Sequence, residues 1–202
     1  MAIAGEGPLD LAILRRLLGD TGLVADHEIW GGWGRGGKNG MEPRLPQWAA
    51  GAALGHVVVV LRDLDDDAPC AAMLRARLIP EMPSTMLLRI AVHAAEAWLV
   101  ADRNRLAQWL DTDPALLQGD PEAALRPKDA VIAAAQASRS TLIRAGVPPG
   151  DGGRRQGPDY NPTLIGFVHG PWQPRLAARH SQSLHRAIAA IERLHAHLTR
   201  SG

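Results

Sequence analysis

The sequence predicts an α/β fold: a mostly parallel, Rossmann-like sheet flanked by helices, followed by an α-helical C-terminal extension. Three observations predict it. His56 to Leu61 holds four consecutive valines and a leucine, a β-branched apolar run that suits a strand buried on both faces. Along the first half of the chain, short apolar runs alternate with segments of helical period, the pattern of parallel strands joined by right-handed crossovers. Carboxylates follow the ends of several apolar runs, at the edge where open α/β sheets place ligands.

Ala2 to Ala4 is a short first strand, followed by the turn Gly5-Glu6-Gly7. Leu11, Leu14, Leu17 and Leu18 repeat at helical spacing, and Gly19 offers a stop. Gly22 to Trp30 supplies a second strand through Leu23, Val24, Ile29 and Trp30. It leads into a loop from Gly31 to Gly40 that carries Arg35 and Lys38. Glycines there let backbone N–H groups approach a phosphate, although the ending of a Walker A loop is missing. A plain surface loop is the alternative. Pro43 to Leu54 reads as a helix that delivers the chain to the central strand. Beyond that strand come Asp63, Asp65, Asp66 and Asp67, then a helix from Pro69 to Ile79. Met86 to Val92 is a further strand, and His93 to Asp102 is helical, with Glu96 in largely apolar company.

Past Asp102 the pattern changes. Arg103 to Leu110 reads as a short helix, Asp111 to Pro127 as turns, and Lys128 to Arg144 as an alanine-rich helix. Gly146 to Pro162 reads as a loop, and Leu184, Ile188, Ile191 and Leu198 mark one face of a last helix. The expected division is a core at 1–102 and a mainly helical extension at 103–202, forming one compact unit.

Composition narrows the function classes. With 46% hydrophobic and 21% charged residues the chain can bury a core, which excludes wholesale disorder. The formal charge of +1 means that any nucleic-acid contact rests on a local basic surface. Cys70 is the single cysteine, which excludes an intrachain disulfide and a cysteine-based zinc site. No apolar run reaches membrane-spanning length and no leader pattern opens the chain, so the expectation is a cytoplasmic protein without a membrane partner.

Clustered carboxylates repel unless a cation or a basic partner relieves them. If neighbouring strand ends converge, Glu6, Asp63, Asp65 and Glu96 share one edge and can hold one or two Mg²⁺ or Mn²⁺ ions, which favour carboxylate oxygen. The duller alternatives are a solvated acidic turn that caps a helix, a Glu6 favoured by the helix dipole, and a Glu96 paired with Arg89 or Arg103.

Gly5-Glu6-Gly7-Pro8-Leu9-Asp10 after a first strand, with Asp63-Leu64-Asp65 after a third, resembles the TOPRIM domain of topoisomerases, primases and the OLD (overcoming lysogenisation defect) nucleases. Glu6 matches the family's early glutamate, and Asp63 and Asp65 its Asp-x-Asp pair. The stretch Arg89 to Asp102, with Arg126-Pro127-Lys128 and Tyr160-Asn161-Pro162, is similar to an uncharacterised bacterial TOPRIM-like family. The resemblance implies a Mg²⁺- or Mn²⁺-dependent nuclease acting on DNA or RNA, with a role in anti-phage defence. Glu6, Asp63, Asp65 and Glu96 would hold metal, and Lys128, matched to the OLD lysine, would stabilise developing charge. Arg35 and Lys38 would position the nucleic-acid backbone. OLD relatives join TOPRIM to an ATPase, and these residues carry none, which implies a separate ATPase partner. The alternative is a non-catalytic TOPRIM-like partner that binds nucleic acid. A phosphatase or receiver domain would carry its principal Asp on the first strand, where this chain has Glu6. A glycosyltransferase would leave Glu6 and the Glu96 segment without a role.

Overall fold

Four strands, Ala2–Gly5 (β1), His27–Trp30 (β2), Val58–Asp63 (β3) and Met86–Ala91 (β4), form an all-parallel sheet in the order β2-β1-β3-β4. The computed structural model describes residues 1–30, 37–123, 126–150 and 155–201. The expected α/β class, its parallel sheet and its C-terminal helix are all present.

The helices are Pro8–Gly19 (α1), Lys38–Met41 (α2), Leu45–Ala53 (α3), Ala71–Leu78 (α4), Glu96–Val100 (α5), Arg103–Trp109 (α6), Pro127–Gln136 (α7), Thr141–Gly146 (α8), Tyr160–His169 (α9), Pro174–Ala177 (α10) and Gln182–Ser201 (α11). The chain divides into two units, Met1–Val92 with His185–Gly202, and His93–Leu184. The expected division at 102 therefore falls ten residues earlier, at Val92, and the last helix returns mainly to the first unit.

In the first unit the sheet separates two apolar layers, because successive side chains of a strand point to opposite faces. Ala4, Val58, Val60, Met86, Leu88 and Ile90 meet Met41, Leu45, Ala52, Leu74 and Ile79 from α2 to α4 and their flanks. The alternate residues Ile3, Val59 and Leu61 are buried too, and α1 packs on β1 and β3. All six residues of β3 are buried, including Arg62 and Asp63. A strand covered on both faces has no room for polar alternation, which explains the valine run.

Three helical expectations change. The helix read over 128–144 is two helices, because Ser140 caps α8 by accepting a hydrogen bond from the Ile143 N–H at 3.5 Å. The loop read over 146–162 ends early: α9 starts at Tyr160 and carries Pro162 in its first turn, where a missing N–H costs little. The acidic turn at 111–127 includes a 3₁₀ turn at Pro114–Leu117, capped by the Asp113 carboxylate.

Candidate active site

Glu6 leaves β1 in a turn that Asp10 holds from below. One Asp10 carboxylate oxygen accepts hydrogen bonds from the Glu6 N–H at 2.8 Å and the Gly7 N–H at 3.0 Å. Asp10 lies so close that a Cβ on Gly5 would stand 2.5 Å from its own Cβ, so only glycine fits. The turn aims the Glu6 carboxylate toward the end of β3. Its Oε1 accepts from the Asp63 N–H at 3.0 Å, and its Oε2 from the Lys38 N–H at 3.1 Å. One carboxylate thereby ties together β1, β3 and the start of α2.

Arg62 lies beneath this junction and is fully buried. Its guanidinium reaches Glu6 Oε1 at 3.1 Å and Glu42 Oε1 at 2.7 Å, and it also pairs with Asp67 and donates to the Asp63 carbonyl. Asp65 Oδ2 stands 3.7 Å away. Lys38 Nζ closes the open side, 3.2 Å from Asp65 Oδ2 and 2.7 Å from Asp67 Oδ2. Asp65 has a left-handed backbone, φ 47°, a conformation that Asp tolerates better than most residues. Four carboxylates, Glu6, Glu42, Asp65 and Asp67, thus surround Arg62 and Lys38, the charge of Asp63 acts on Glu6, and Arg77 donates to the Asp67 carbonyl.

Among the described residues, charge shapes the titration of these groups. Burial, then repulsion from Asp63, raises the Glu6 pKa against the pull of Arg62. Hydrogen bonds from Lys38 and then Arg62 lower that of Asp67. The Asp67 hydrogen bond raises Lys38. Burial works against the charge of Arg62, but Asp67, Glu42 and Glu6 outweigh it and raise its pKa.

Glu6, Asp63 and Asp65 therefore do converge, from the ends of β1 and β3. Glu96 opens α5 in the second unit, five residues beyond Ala91. There it is buried, accepts from the Tyr160 hydroxyl at 3.0 Å and has Lys128 Nζ 3.9 Å from its other oxygen. Glu96 thus pairs with Lys128 within that unit. Lys38 sits in a helical turn rather than a loop, and its ammonium contacts carboxylates. Arg35 lies outside the described residues. Asp102 stands at the N-cap of α6, but its carboxylate accepts from Arg105 at 3.1 Å and from the Gln173 N–H at 3.0 Å. Trp98 is buried in the core, whereas Trp109 is partly exposed and donates to the Thr163 carbonyl at 2.9 Å.

Sequence reasoning missed Arg62, Glu42 and the central role of Asp67. A signal was there: an arginine at the end of an otherwise apolar, fully buried strand needs carboxylate company. Among the described residues, no three His, Cys, Asp or Glu side chains stand in a ready-made metal shell. Comparison of the chain with protein-family models, curated proteins and solved structures returns no match.

Proposed function

We propose that the chain is a TOPRIM-like, Mg²⁺- or Mn²⁺-dependent nuclease whose metal-holding residues are Glu6, Asp63 and Asp65. The observation that carries this reading is the convergence of those carboxylates from two adjacent strand ends, close enough for Asp63 and Asp65 to raise the pKa of Glu6. The donor set fits a hard divalent cation in kind, since it is all carboxylate oxygen and partly buried. Mg²⁺ or Mn²⁺ held there supplies Lewis-acid polarisation of a phosphoryl oxygen.

The chain's own residues do the positioning. Arg62 and the Asp63 N–H fix Glu6 in one rotamer, and Arg62 keeps Glu6 and Glu42 apart in charge. Lys38, on the exposed side, is the cation that can exchange Asp65 and Asp67 for a substrate phosphate. Within the second unit Glu96, Tyr160 and Lys128 form a group, with Lys128 as the member open to solvent. The proposal extends to a cytoplasmic setting, which a single cysteine suits, and by resemblance to anti-phage defence with a separate ATPase. No helix among the described residues is long and apolar enough to cross a membrane.

A second reading is a non-catalytic TOPRIM-like binding partner. It is favoured by Lys38 and Arg62 already neutralising the carboxylates. Plasmid, single-stranded DNA and tRNA incubated with the protein in Mg²⁺, Mn²⁺ or EDTA separate the two. Metal-dependent cutting that Asp63→Asn/Asp65→Asn abolishes is the expected result. No cutting, with Mn²⁺ binding measured by calorimetry and lost in that variant, would favour the binding partner. No cutting and no Mn²⁺ binding would sink the metal site altogether.

A further inference from the structure

Two cations meet the carboxylates of the acidic site, and the chain holds them differently. Arg62 is fully buried and divides its guanidinium among Glu6, Glu42 and Asp67. Moving it would strip a buried charge of its partners, which is costly. The Lys38 side chain is 34% exposed and ends in an ammonium on a flexible carbon stem. Of the two, only Lys38 has a way out into water.

The turn that carries Lys38 does not depend on that side chain. The Lys38 N–H donates to Glu6 Oε2 at 3.1 Å, and the Gly37 N–H donates to the Glu6 carbonyl at 3.1 Å. Gly37 has φ 72°, a conformation that glycine takes at no steric cost. Hydrogen bonds from the main chain therefore fix the start of α2 beside Glu6, and the ammonium is left to choose its partners. It takes three carboxylate oxygens: Asp65 Oδ2 at 3.2 Å, and Asp67 Oδ1 and Oδ2 at 2.8 and 2.7 Å.

An ammonium has three N–H donors, and here three carboxylate oxygens are in reach of them. Several carboxylate oxygens about one small cation are also what Mg²⁺ and Mn²⁺ take. Asp65 is common to both sets: it is one of the three residues assigned to metal, and its Oδ2 is the oxygen that Lys38 engages. Asp67 keeps Arg62 as a partner when Lys38 leaves. The plain alternative is an exposed ion pair that fastens α2 to the acidic turn. Such pairs contribute little, and two hydrogen bonds from the main chain already fasten α2.

We propose that Lys38 is a built-in competitor of the metal: its ammonium holds Asp65 and Asp67 until Mg²⁺ or Mn²⁺ takes Asp65, and then swings out into water. The exchange makes and breaks no covalent bond; Asp65 trades a hydrogen bond from a single charge for a doubly charged ion. Apparent metal affinity is then reduced to the fraction of molecules in which Lys38 stands clear. Lys38 thereby keeps the site closed at low metal concentration and becomes available to a substrate phosphate once metal is bound. The inference rests on the metal reading of Glu6, Asp63 and Asp65, and its test separates the two.

Lys38 and Lys128 are the only lysines in the sequence, so acylation can be read at each by peptide mass spectrometry. The experiment treats the whole protein with limiting acetic anhydride in EDTA and in Mn²⁺, alongside Mn²⁺ calorimetry of the parent, Lys38→Met and Lys38→Arg. An ammonium gripped by carboxylate oxygens reacts slowly, so Lys38 is expected to be acylated several times faster in Mn²⁺ while Lys128 is unchanged. Lys38→Met is expected to bind Mn²⁺ about tenfold more tightly than the parent, and Lys38→Arg no more tightly. Mn²⁺ bound to the parent with Lys38 acylation unchanged would overturn the exchange and leave the metal reading standing. Tighter binding by Lys38→Met with that same unchanged labelling would mark only a lost charge, and would overturn the exchange too. Equal acceleration at both lysines would overturn it in favour of a general opening of the protein. No Mn²⁺ heat from the parent or from Lys38→Met would overturn the metal reading, and the exchange with it.

Discussion

Arg62 and Arg89 are arginines on adjacent strands of one sheet, and the molecule treats them in opposite ways. Arg62 is fully buried, yet Glu6, Glu42 and Asp67 hold its charge more firmly than water would. Arg89 is less buried, yet its strongest charged neighbours are arginines and its Nε is unmet. Burial alone therefore does not decide whether a charge is at rest. Company does. The first arginine acts as an internal counter-ion for Glu6, Glu42 and Asp67; the second keeps a buried Nε that no acceptor meets.

The largest expected effect breaks the first half of that contrast. Arg62→Met leaves Glu6, Glu42 and Asp67 facing one another without their buried cation, and should cost about 3–5 kcal/mol in urea unfolding. A loss below about 1 kcal/mol would show that Lys38 and solvent suffice. Tyr160→Phe gives a reference from the second unit, where one buried carboxylate keeps a neutral partner. It removes the hydrogen bond to Glu96 and should cost about 1–3 kcal/mol by the same measurement. Arg89→Met should change stability with the opposite sign. Removing a buried unmet donor and three like-charge repulsions is expected to leave the fold neutral or about 1 kcal/mol more stable. A large loss there would mean that Arg89 has a structural partner after all.

The smallest effects are those of pH. Asp67 has a lowered pKa, so the stability it contributes is present above its unfolded value of 3.8 and is lost as pH falls through its folded pKa. Glu6 has a raised pKa, so its folded form binds the proton more tightly and its contribution declines as pH rises above 4.5 through the folded value. Urea midpoints across acid pH should therefore show Asp67→Asn flattening the most acidic limb, and Glu6→Gln removing a decline at somewhat higher pH. Mn²⁺ affinity should rise over that same higher window, because metal and proton compete for Glu6. An Mn²⁺ affinity indifferent to pH there would exclude Glu6 as a ligand.

Much of the fold was legible in the residues. The valine run, the leucine spacing of α1 and the apolar run at Met86 are local patterns, and local patterns report whether side chains repeat every two or every 3.6 residues. Carboxylates placed just after β1 and β3 were legible for the same reason, since a strand's end is a local event. The sequence by itself determined the α/β class, the last helix and the convergence of Glu6 with Asp63 and Asp65. Tertiary structure alone decided that Arg62 would answer those carboxylates, that Lys38 would face Asp65 and Asp67 across 27 and 29 residues, and that Glu96 would belong with Tyr160 and Lys128. It also decided that the Arg89 Nε would be buried without an acceptor. The physical reason is that charge pairing falls off with distance in space, and distance in space between remote residues is set by strand order, register and the face each side chain takes.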